Sequence, residues 1–306
     1  MTPPFERLAI VGIGLIGSSI AQIARREGLA REIVLTDRSE TVRARAVELG
    51  LGTIVGDIPA AVTGADLVIS CVPVGVAGEV AAAMAPALAE GAIVSDVGSV
   101  KGAVVAAMAP ALPPGVHFVP GHPVAGTEHS GPDAGFPDLF RGRYQILTPP
   151  EGTDPEAVER LAAFWRAAGA RVEIMTPEHH DKVLAITSHI PHLIAYSIVG
   201  TADDLEQVTE GEVIKFSAGG FRDFTRIAAS DPTMWRDVFL HNREAVLDML
   251  GRFNEDVAQL ARAIRWGDGE MLHEHFTRTR AIRRGILQAG QDTSAPDFGR
   301  GDGQRK

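Results

Sequence analysis

The chain of 306 residues is 45% hydrophobic and 22% charged, and its formal net charge is -10. This length predicts two domains, and the composition is that of an ordinary globular protein. The negative charge argues against a broad nucleic-acid or anionic-membrane surface, so we expect no nucleic-acid partner, no membrane partner, and a local basic pocket for any anionic substrate.

The single cysteine, Cys71, lies in an apolar run typical of a strand. One cysteine cannot form an internal disulfide, so we expect a reducing, cytoplasmic compartment and interpret Cys71 as a packing residue. Residues 1–7 lack the apolar core of a signal peptide. The most apolar later stretch, residues 183–199, is interrupted by two histidines and a proline, and we predict that no segment spans a bilayer.

The first predicted element is a short apolar strand, residues 8–11, which leads into a turn with the spacing G-x-G-x-x-G. Gly12 allows a tight turn, Gly14 lets the backbone approach a pyrophosphate, and Gly17 lets the next helix pack closely on the strand. The amides at the N-terminus of that helix then face the phosphates. The alternative is a tight strand-to-helix turn without a ligand.

An acidic residue, Asp37, ends the next apolar run, twenty residues after Gly17. A carboxylate at this spacing binds the ribose hydroxyls of a dinucleotide. It favours NAD because it repels a 2′-phosphate, while the neighbouring Arg38 can neutralise that phosphate. We therefore predict NAD as the cofactor, with NADP accepted. The predicted cofactor-binding residues are Gly12, Gly14, Leu15, Ile16, Gly17, Asp37, Arg38, Val72 and Pro73.

Further apolar runs of strand length follow in the first half of the chain, at residues 67–72, 92–96, 116–119 and 144–147. The alanine-rich segments between them have helical character, and this alternation predicts a parallel sheet with helices on both faces. A capping box from Thr153 to Glu156 then predicts a helix to about Ala168, followed by a strand over residues 172–175.

Beyond Pro177 the strand signals stop, and long helices are predicted at residues 177–201, 203–216, from 232 onward and 269–288. Apolar residues in the helix after Pro232 alternate at spacings of four and three, at Val246, Leu250, Phe253, Val257, Leu260 and Ile264. Such a narrow stripe packs against another helix, either in the same chain or in a second copy. We favour the second copy and predict a homodimer.

These patterns predict an α/β fold, in which an N-terminal Rossmann-type, doubly wound and mostly parallel sheet is followed by an all-helical dimerisation domain. The NAD(P)-binding Rossmann domain takes residues 1–176. The helical dimerisation and substrate domain takes residues 177–289. The polar tail, residues 290–306, is predicted to be disordered.

Two polar clusters follow predicted strands, at the edge where an open parallel sheet binds its ligand. In the first, residues 96–101, Ser99 is either a helix cap or a functional hydroxyl, and Lys101 is interpreted as a solvated residue of the first helical turn. In the second, His122 lies between a glycine and a proline on a predicted short loop. An imidazole with a pKa near about 6.5 suits proton transfer; a capping or core histidine is the alternative.

A third cluster lies in the helical half, at residues 219–237. Arg226 stands among apolar residues there, which indicates a guanidinium in a partly dry site that grips a carboxylate through two parallel hydrogen bonds. Asp223 would orient this guanidinium. Exposed surface charge is the alternative interpretation of both residues.

Two histidines, His189 and His192, are three residues apart and share a helix face, although Pro191 must kink that helix. They are candidate substrate contacts. Alternatively they bind a metal together with ligands from residues 178–181, but no third ligand stands at an obvious spacing. We therefore predict no metal.

Together these segments resemble the prephenate and arogenate dehydrogenase family, the dehydrogenases of tyrosine biosynthesis. The matching motifs, in chain order, are the Gly-Leu-Ile-Gly end of the glycine-rich turn, Asp-Val-Gly-Ser-Val-Lys, Gly-His-Pro-Val-Ala-Gly-Thr-Glu, Ser-His-Ile-Pro-His, and Gly-Gly-Phe-Arg-Asp-Phe-Thr-Arg continued by Asp-Pro-Thr-Met-Trp-Arg-Asp. They fall between about residues 8 and 284. In such enzymes a helical dimerisation domain follows a Rossmann domain, and the active site lies between them.

The resemblance implies NAD(P)-dependent oxidative decarboxylation of prephenate, arogenate or both, giving 4-hydroxyphenylpyruvate, tyrosine or both. It assigns His122 as the acceptor of the ring hydroxyl proton and Ser99 as its partner in orienting that hydroxyl. It further implies that Arg226 binds a substrate carboxylate and that His189, His192 or both face the substrate. The other residues expected at the substrate are Thr127, Glu128, Asp223, Gly219 and Trp235.

Two other functions stay open on the sequence. A β-hydroxyacid dehydrogenase has the same layout, but it would use a lysine on a long helix, and the helix from Pro177 offers only Lys182, near its start. A non-catalytic NAD(P)-binding sensor would keep the glycine-rich turn and need neither His122 nor Arg226. We also expect a stand-alone enzyme, without a chorismate mutase segment or a regulatory ACT domain.

Overall fold

The computed structural model describes residues 4–127, 129–206 and 218–288. Its contacts divide the chain into two compact units, one up to Val246 and one from Leu247. The predicted boundary after residue 176 stays a prediction. The predicted tail and residues 207–216 of the predicted helix lie outside the described part of the chain.

The first unit contains a six-stranded parallel sheet. Its strands are β1 (Phe5–Val11), β2 (Ala30–Thr36), β3 (Thr53–Ile54), β4 (Leu67–Ser70), β5 (Ile93–Asp96) and β6 (His117–Phe118). They lie in the order β3-β2-β1-β4-β5-β6, and each neighbouring pair is parallel. The order reverses between β1 and β4, which creates the crevice where doubly wound sheets bind their ligands. The predicted Rossmann-type fold is confirmed.

Helices cover both faces of this sheet: α1 (Leu15–Arg26), α2 (Glu40–Glu48), α3 (Ile58–Val62), α4 (Ala77–Met84) and α5 (Lys101–Met108). Neighbouring side chains of a strand point to opposite faces, so alternate residues of β1 enter two separate cores. Leu8 and Ile10 belong to the core that includes α1. Ala9 and Val11 belong to the core formed with α4 and α5. Burial on both faces explains why the central strands are continuous apolar runs.

A second, three-stranded sheet consists of β7 (Gly121–Pro123), β8 (Tyr144–Leu147) and β9 (Arg171–Ile174). β7 is antiparallel to β8, and β8 is parallel to β9. Residues 144–147 therefore do not extend the main sheet, and His122 lies in a strand instead of the predicted loop. Pro120 directs the chain here, because it has no N–H for the β6 ladder and its carbonyl oxygen accepts from the Thr148 amide at 2.8 Å.

The helix α6 (Pro155–Ala167) connects β8 to β9. Its cap is Asp154, whose carboxylate accepts from the Glu156 amide at 2.9 Å. The predicted capping box that begins at Thr153 is wrong, because the Thr153 hydroxyl donates to the Pro150 carbonyl oxygen at 2.7 Å. The error displaces the cap by one residue and leaves the helix prediction intact.

The rest of the described chain is helical, with α7 (Pro177–Leu184), α8 (Ile190–Glu206), α9 (Gly219–Thr225), α10 (Pro232–His241), α11 (Arg243–Trp266) and α12 (Gly269–Gln288). One π-helical turn, Ala185–His189, joins α7 to α8. It ends two residues before Pro191, whose missing N–H interrupts the regular α-helical pattern. A wide turn therefore stands where the sequence predicts a kink.

The apolar stripe lies on α11, because a break at Asn242 separates this helix from α10. The single helix predicted from Pro232 onward is therefore wrong. Along the stripe Val246 is buried, whereas Val257 and Ile264 are 44% and 67% exposed. Exposed apolar side chains at helical spacing are suited to an interface with another helix.

The composite helix from Pro177 to Leu205 is long and apolar enough, by length and composition alone, to cross a membrane. Core helices of soluble proteins meet the same criterion. In this chain the helix carries buried polar side chains, among them His180, Asp181 and His189. The absence of a membrane partner stays a prediction.

Candidate active site

The glycine-rich turn connects β1 to α1 at the crevice of the main sheet. Gly12 has a φ of +101°, and a Cβ there would lie 2.5 Å from the Cys71 carbonyl oxygen. A Cβ at Gly17 would lie 2.0 Å from the Gly12 carbonyl oxygen. Both positions therefore require glycine, the first also for its backbone conformation and the second for the close packing of α1 on the turn.

Gly14 differs from these two glycines because a Cβ there would meet no atom of the described residues within 4 Å. It is the N-cap residue of α1 and provides no side-chain cap. The half-buried Leu15 and Ile16 follow it in the first turn. Uncapped amides at the positive end of a helix dipole, with open space over Gly14, suit the close approach of a pyrophosphate.

Asp37 follows β2 and holds the turn in place. One of its carboxylate oxygens accepts from the Ile13 amide and the other from the Ser39 amide, both at 2.9 Å. Each oxygen keeps a further lone pair, so the same carboxylate can accept from ribose hydroxyls. Its neighbour Arg38 is exposed.

Val72 and Pro73 follow β4, on the other side of the crevice. Val72 is half-buried, and its Cγ1 would lie 3.3 Å from a Cβ at Gly12. Pro73 is exposed. The open glycine, the uncapped helix N-terminus and the carboxylate of Asp37 together fit the pyrophosphate and ribose of a dinucleotide.

A buried ion pair lies at the end of β5. The Lys101 ammonium donates to the Asp96 carboxylate and to the Gly121 carbonyl oxygen, the latter at 2.7 Å. Asp96 also accepts from the Gly98 and Gly121 amides, at 2.7 and 3.1 Å. The interpretation of Lys101 as solvated is wrong: the residue is fully buried, and burial lowers its pKa against the opposing effect of Asp96. The pair anchors the start of β7 and thereby positions His122.

Ser99 precedes α5 and is half-buried. The cap position of α5 is Val100, which provides no side-chain hydrogen bond, so the alternative of Ser99 as a helix cap is wrong. The Ser99 hydroxyl has no hydrogen-bond partner within residues 4–127, 129–206 and 218–288. A hydroxyl without an internal partner can both donate to and accept from a ligand.

His122, in the middle of β7, begins a chain of side-chain hydrogen bonds. Its Nδ1 lies 2.8 Å from Nε2 of His180, and Nδ1 of His180 lies 2.8 Å from a carboxylate oxygen of Asp181. The carboxylate in turn accepts from the Lys101 and Gly102 amides at 2.8 and 2.9 Å. The N-terminus of α5 thus fixes the carboxylate, and the carboxylate fixes both rings.

These contacts determine which ring nitrogens carry protons. A carboxylate only accepts, so Nδ1 of His180 carries a proton; burial lowers the pKa of His180, and its Nε2 is therefore unprotonated. His122 must then donate from Nδ1 and keep a lone pair on Nε2. Burial and the nearby His180, Lys101 and His189 lower the pKa of His122 well below 6.5. His122 is a half-buried, neutral base, and among the described residues no hydrogen bond reaches its Nε2.

A second histidine, His189, is buried in the π-helical turn. Its Nδ1 lies 3.0 Å from the side-chain nitrogen of Asn242, and that same nitrogen donates to the Asp181 carbonyl oxygen at 2.9 Å. Burial lowers the pKa of His189 to about 4, so the ring is neutral near pH 7.

His192 stacks on Trp235, with ring centroids 3.6 Å apart. Its Nδ1 donates to the Ser188 carbonyl oxygen at 2.9 Å, and burial lowers its pKa. Trp235 is 7% exposed and also contacts the edge of His189. Both histidines of the pair therefore contact the same indole.

Arg226 begins the short 3-10 turn Arg226–Ala229. Its side chain is exposed, so the predicted partly dry site for this guanidinium is wrong for the single chain. Asp223 is exposed on α9, and Gly219 is the first residue of that helix.

The remaining predicted residues lie after β7. Thr127 is exposed, and its hydroxyl accepts from the His129 amide at 3.2 Å. Glu128 lies outside the described residues.

Charge effects connect the polar residues of the two halves. The positive charge of Arg226 contributes to the lowered pKa of His192, and His192 contributes to that of His189. His189 in turn contributes to the lowered pKa of His122. The contacts themselves run from His122 through His180 and Asp181 to Asn242 and His189. The Trp235 ring then joins His189 to His192.

Sequence reasoning missed part of this network. It treated His180 and Asp181 only as alternative metal ligands, and the part of the chain that the structure describes has no group of three or more residues able to hold a metal ion. Asn242 was not singled out, because an asparagine between two helices carries no distinctive pattern. The pair of adjacent polar residues at 180 and 181, on an otherwise amphipathic helix, was the available signal.

A dinucleotide turn at the switch point of a Rossmann sheet, with a neutral histidine beside the next strand ends, defines a nicotinamide-nucleotide-dependent dehydrogenase. Residues 20–174 match the model of the prephenate dehydrogenase nucleotide-binding domain, and residues 176–278 match that of the prephenate dehydrogenase dimerization domain. The chain therefore belongs to the prephenate dehydrogenase family.

Individual relatives agree with this assignment. The chain is 46% identical to a cyclohexadienyl dehydrogenase of Zymomonas mobilis over 91% of this chain and 95% of the relative. It is 35% identical to a prephenate dehydrogenase of Bacillus subtilis over 92% and 76% of the two chains. A solved structure of the Aquifex aeolicus prephenate dehydrogenase, in complex with hydroxyphenyl propionate and NAD+, superposes with a TM-score of 0.86 at 36% identity over 92% and 98%.

Proposed function

We propose that the chain catalyses NAD-dependent oxidative decarboxylation of prephenate, arogenate or both, with His122 as the acceptor of the ring hydroxyl proton. The products are 4-hydroxyphenylpyruvate, tyrosine or both. The hydrogen bond between Nδ1 of His122 and Nε2 of His180 carries this proposal, because it leaves Nε2 of His122 unprotonated and available. A positioned general base of this kind contributes about 10²- to 10⁴-fold to the rate.

In the proposed reaction, His122 and Ser99 act on the ring hydroxyl of the substrate. The glycine-rich turn and Asp37 would hold NAD, which would supply the acceptor for the hydride of the ring carbon. His122 takes the hydroxyl proton as the ring carbonyl forms, while Ser99 orients the oxygen. The ring carboxylate then leaves as CO₂, its bonding electrons make the ring aromatic, and the resulting phenolate takes the proton back from His122. The overall reaction releases no proton, so a weakly basic histidine that returns its proton readily suits both steps.

Substrate binding is assigned to the helical half together with Thr127 and Glu128, which follow β7. Arg226 supplies a positive charge beside His192 for a substrate carboxylate, in a protein whose net charge is -10. A local positive field is needed because the overall charge repels a dianion. Thr127, Glu128, Asp223, Gly219 and Trp235 complete the proposed substrate site.

The cofactor preference follows from Asp37 and Arg38. Asp37 accepts two backbone hydrogen bonds as an anion and would repel a 2′-phosphate, which favours NAD. Arg38 is exposed and available to such a phosphate, so NADP is expected to be accepted with lower affinity.

We further propose a homodimer in the cytoplasm. The match to a dimerization domain over residues 176–278 and the exposed Val257 and Ile264 support self-association. A single cysteine supports a reducing compartment. Light scattering coupled to size exclusion should give a mass of twice 32.4 kDa; a mass of 32.4 kDa at working concentration would overturn the dimer.

One assay tests the proposed activity. The protein is mixed with NAD or NADP and, in turn, with prephenate, arogenate and 3-hydroxyisobutyrate, and the absorbance of the reduced cofactor is followed. We expect reduction with NAD and at least one of the first two substrates. Reduction with 3-hydroxyisobutyrate alone would support a β-hydroxyacid dehydrogenase, for which the helix from Pro177 offers Lys182, an exposed residue of α7. No reduction with any substrate would support a sensor.

A further inference from the structure

Asn242 occupies the break between α10 and α11, where its backbone has a φ of -104° and a ψ of 29°. The residue is 5% exposed. Its amide donates to the Val238 carbonyl oxygen, and its own carbonyl oxygen accepts from the Val246 amide, both at 3.0 Å. The backbone is thus fully used, and only the side-chain amide remains for a further role.

The orientation of that amide is fixed by its partners. The side-chain nitrogen lies 2.9 Å from the Asp181 carbonyl oxygen, which can only accept. The same nitrogen lies 3.0 Å from Nδ1 of His189. Nδ1 must therefore accept as well, and the proton of this neutral imidazole is on Nε2. The Nε2 atom of His189 makes no hydrogen bond within the described residues, so Nε2–H is the donor that the ring can offer to a ligand.

Asp181 couples this arrangement to the catalytic base. Its carboxylate receives Nδ1–H of His180, which leaves Nε2 of His122 as an acceptor. Its backbone carbonyl oxygen orients Asn242, which leaves Nε2 of His189 as a donor. One residue of α7 thus gives two neighbouring histidines opposite hydrogen-bonding polarity. A site that must take a proton from one group of a dianionic substrate and donate to another needs both.

We propose that Asn242 is a positioning residue that holds His189 as a neutral Nε2–H donor to an anionic group of the substrate. The assignment of the substrate rests on the proposed function, whereas the protonation state of His189 does not. Loss of a hydrogen bond to a charged group corresponds to about a tenfold to hundredfold change in binding. The effect is expected in the KM for the substrate and not in the KM for NAD.

The first test measures the wild-type ring and uses a variant only to assign its signal. Long-range proton–nitrogen correlation spectra of the full-length protein, with ¹⁵N in the histidine rings, report which nitrogen carries the proton. His189 is assigned by the signal lost in His189→Gln. At pH 7 we expect the chemical shifts of a protonated Nε2 and an unprotonated Nδ1. Protonation on Nδ1 overturns the proposal, whatever the activity of the protein.

The second test compares Asn242→Asp with Asn254→Asp, the same change at an exposed position of α11. A carboxylate at 242 accepts from Nδ1 of His189 and moves the ring proton, so the KM for prephenate or arogenate should rise about tenfold or more. The control should match the wild type. An unchanged KM together with an unchanged ring spectrum overturns the proposal.

Asn242→Ala serves if the charged variant does not fold, since it only removes the donor. It should leave His189 with a mixture of both ring protonation forms and raise the KM for the substrate. A single Nε2–H form in this variant would show that Asn242 does not set the proton position, which overturns the proposal. Failure of the wild type to oxidise either substrate, with His189 protonated on Nε2, would instead count against the proposed function alone.

Discussion

The glycine-rich turn and the histidine network owe their geometry to different parts of the chain, the first to its backbone and the second to its side chains. The turn is local, and its geometry depends on the absence of side chains, since a Cβ at Gly12 or Gly17 would collide with backbone oxygens. The histidine network joins β7, α5, α7 and the break before α11. Its hydrogen bonds between side chains determine which ring nitrogens carry protons. The proposed pyrophosphate site therefore depends on the backbone of the turn, whereas the proposed chemistry depends on buried side-chain partners.

Among changes in the histidine network, His122→Asn should produce the largest effect on turnover. Asparagine keeps a polar side chain but cannot accept the hydroxyl proton, so kcat should fall by about 10²- to 10⁴-fold. The Kd for NAD, measured by calorimetry or fluorescence, should hardly change. His273→Asn, at an exposed position of α12, is the matched control. A variant with wild-type turnover would remove His122 from the mechanism.

Arg226→Ala should have the next largest effect, on substrate binding alone. Removal of a charge-assisted contact to a carboxylate should raise the KM for prephenate or arogenate about tenfold to a hundredfold. The KM for NAD should stay the same. Arg252→Ala, at an exposed position of α11, controls for the change in net charge. Saturation curves that coincide with those of the wild type would rule out the assigned contact.

Gly17→Ala and Gly14→Ala test the glycine-rich turn by separating a role in packing from a role in cofactor binding. The first adds a methyl group where the backbone leaves no room, and such overpacking should lower the free energy of unfolding by about 1–3 kcal/mol. The second adds one in open space, so it should leave the thermal midpoint unchanged and weaken only NAD binding. Equal losses of stability in both variants would contradict the distinction.

The pH dependence of stability should give the smallest effect near neutral pH, because it develops only below pH 6.5. The pKa of His189 is about 4 in the folded chain against 6.5 as its ordinary value, so between these values the unfolded chain binds a proton that the folded chain refuses. The contribution is therefore complete above pH 6.5 and is lost as the pH falls toward 4, at up to about 1.4 kcal/mol per pH unit. His189→Gln should flatten this decline in thermal unfolding. Parallel curves for both proteins would contradict a buried, neutral ring.

The same contrast explains how far the sequence could predict the molecule. The glycine spacing and Asp37 are local signals, and they placed the Rossmann sheet correctly. β3 is two residues long and lies below what periodicity can detect. The pairing of β7 with β8 depends on Pro120 and on the buried ion pair of Asp96 with Lys101. The sequence gives no signal that these two charged residues are buried.

The candidate active site could likewise be predicted only where its residues stand in local sequence motifs. Ser99, His122 and Arg226 stand in recognisable motifs, so sequence alone could nominate them. Asn242 could not be nominated, because its role exists only after α7 and the π-helical turn have brought Asp181 and His189 to it. Exposure also could not be predicted: apolar neighbours in the sequence suggested a dry site for Arg226, but the turn that begins there exposes the side chain.

A crystal structure with NAD and a non-reacting substrate analogue tests the central claim most directly. The account predicts the ring hydroxyl oxygen at about 2.6–3.2 Å from Nε2 of His122, with the Arg226 guanidinium on a carboxylate of the same molecule. An analogue whose hydroxyl faces away from His122, or a guanidinium that faces a different cavity, would contradict it.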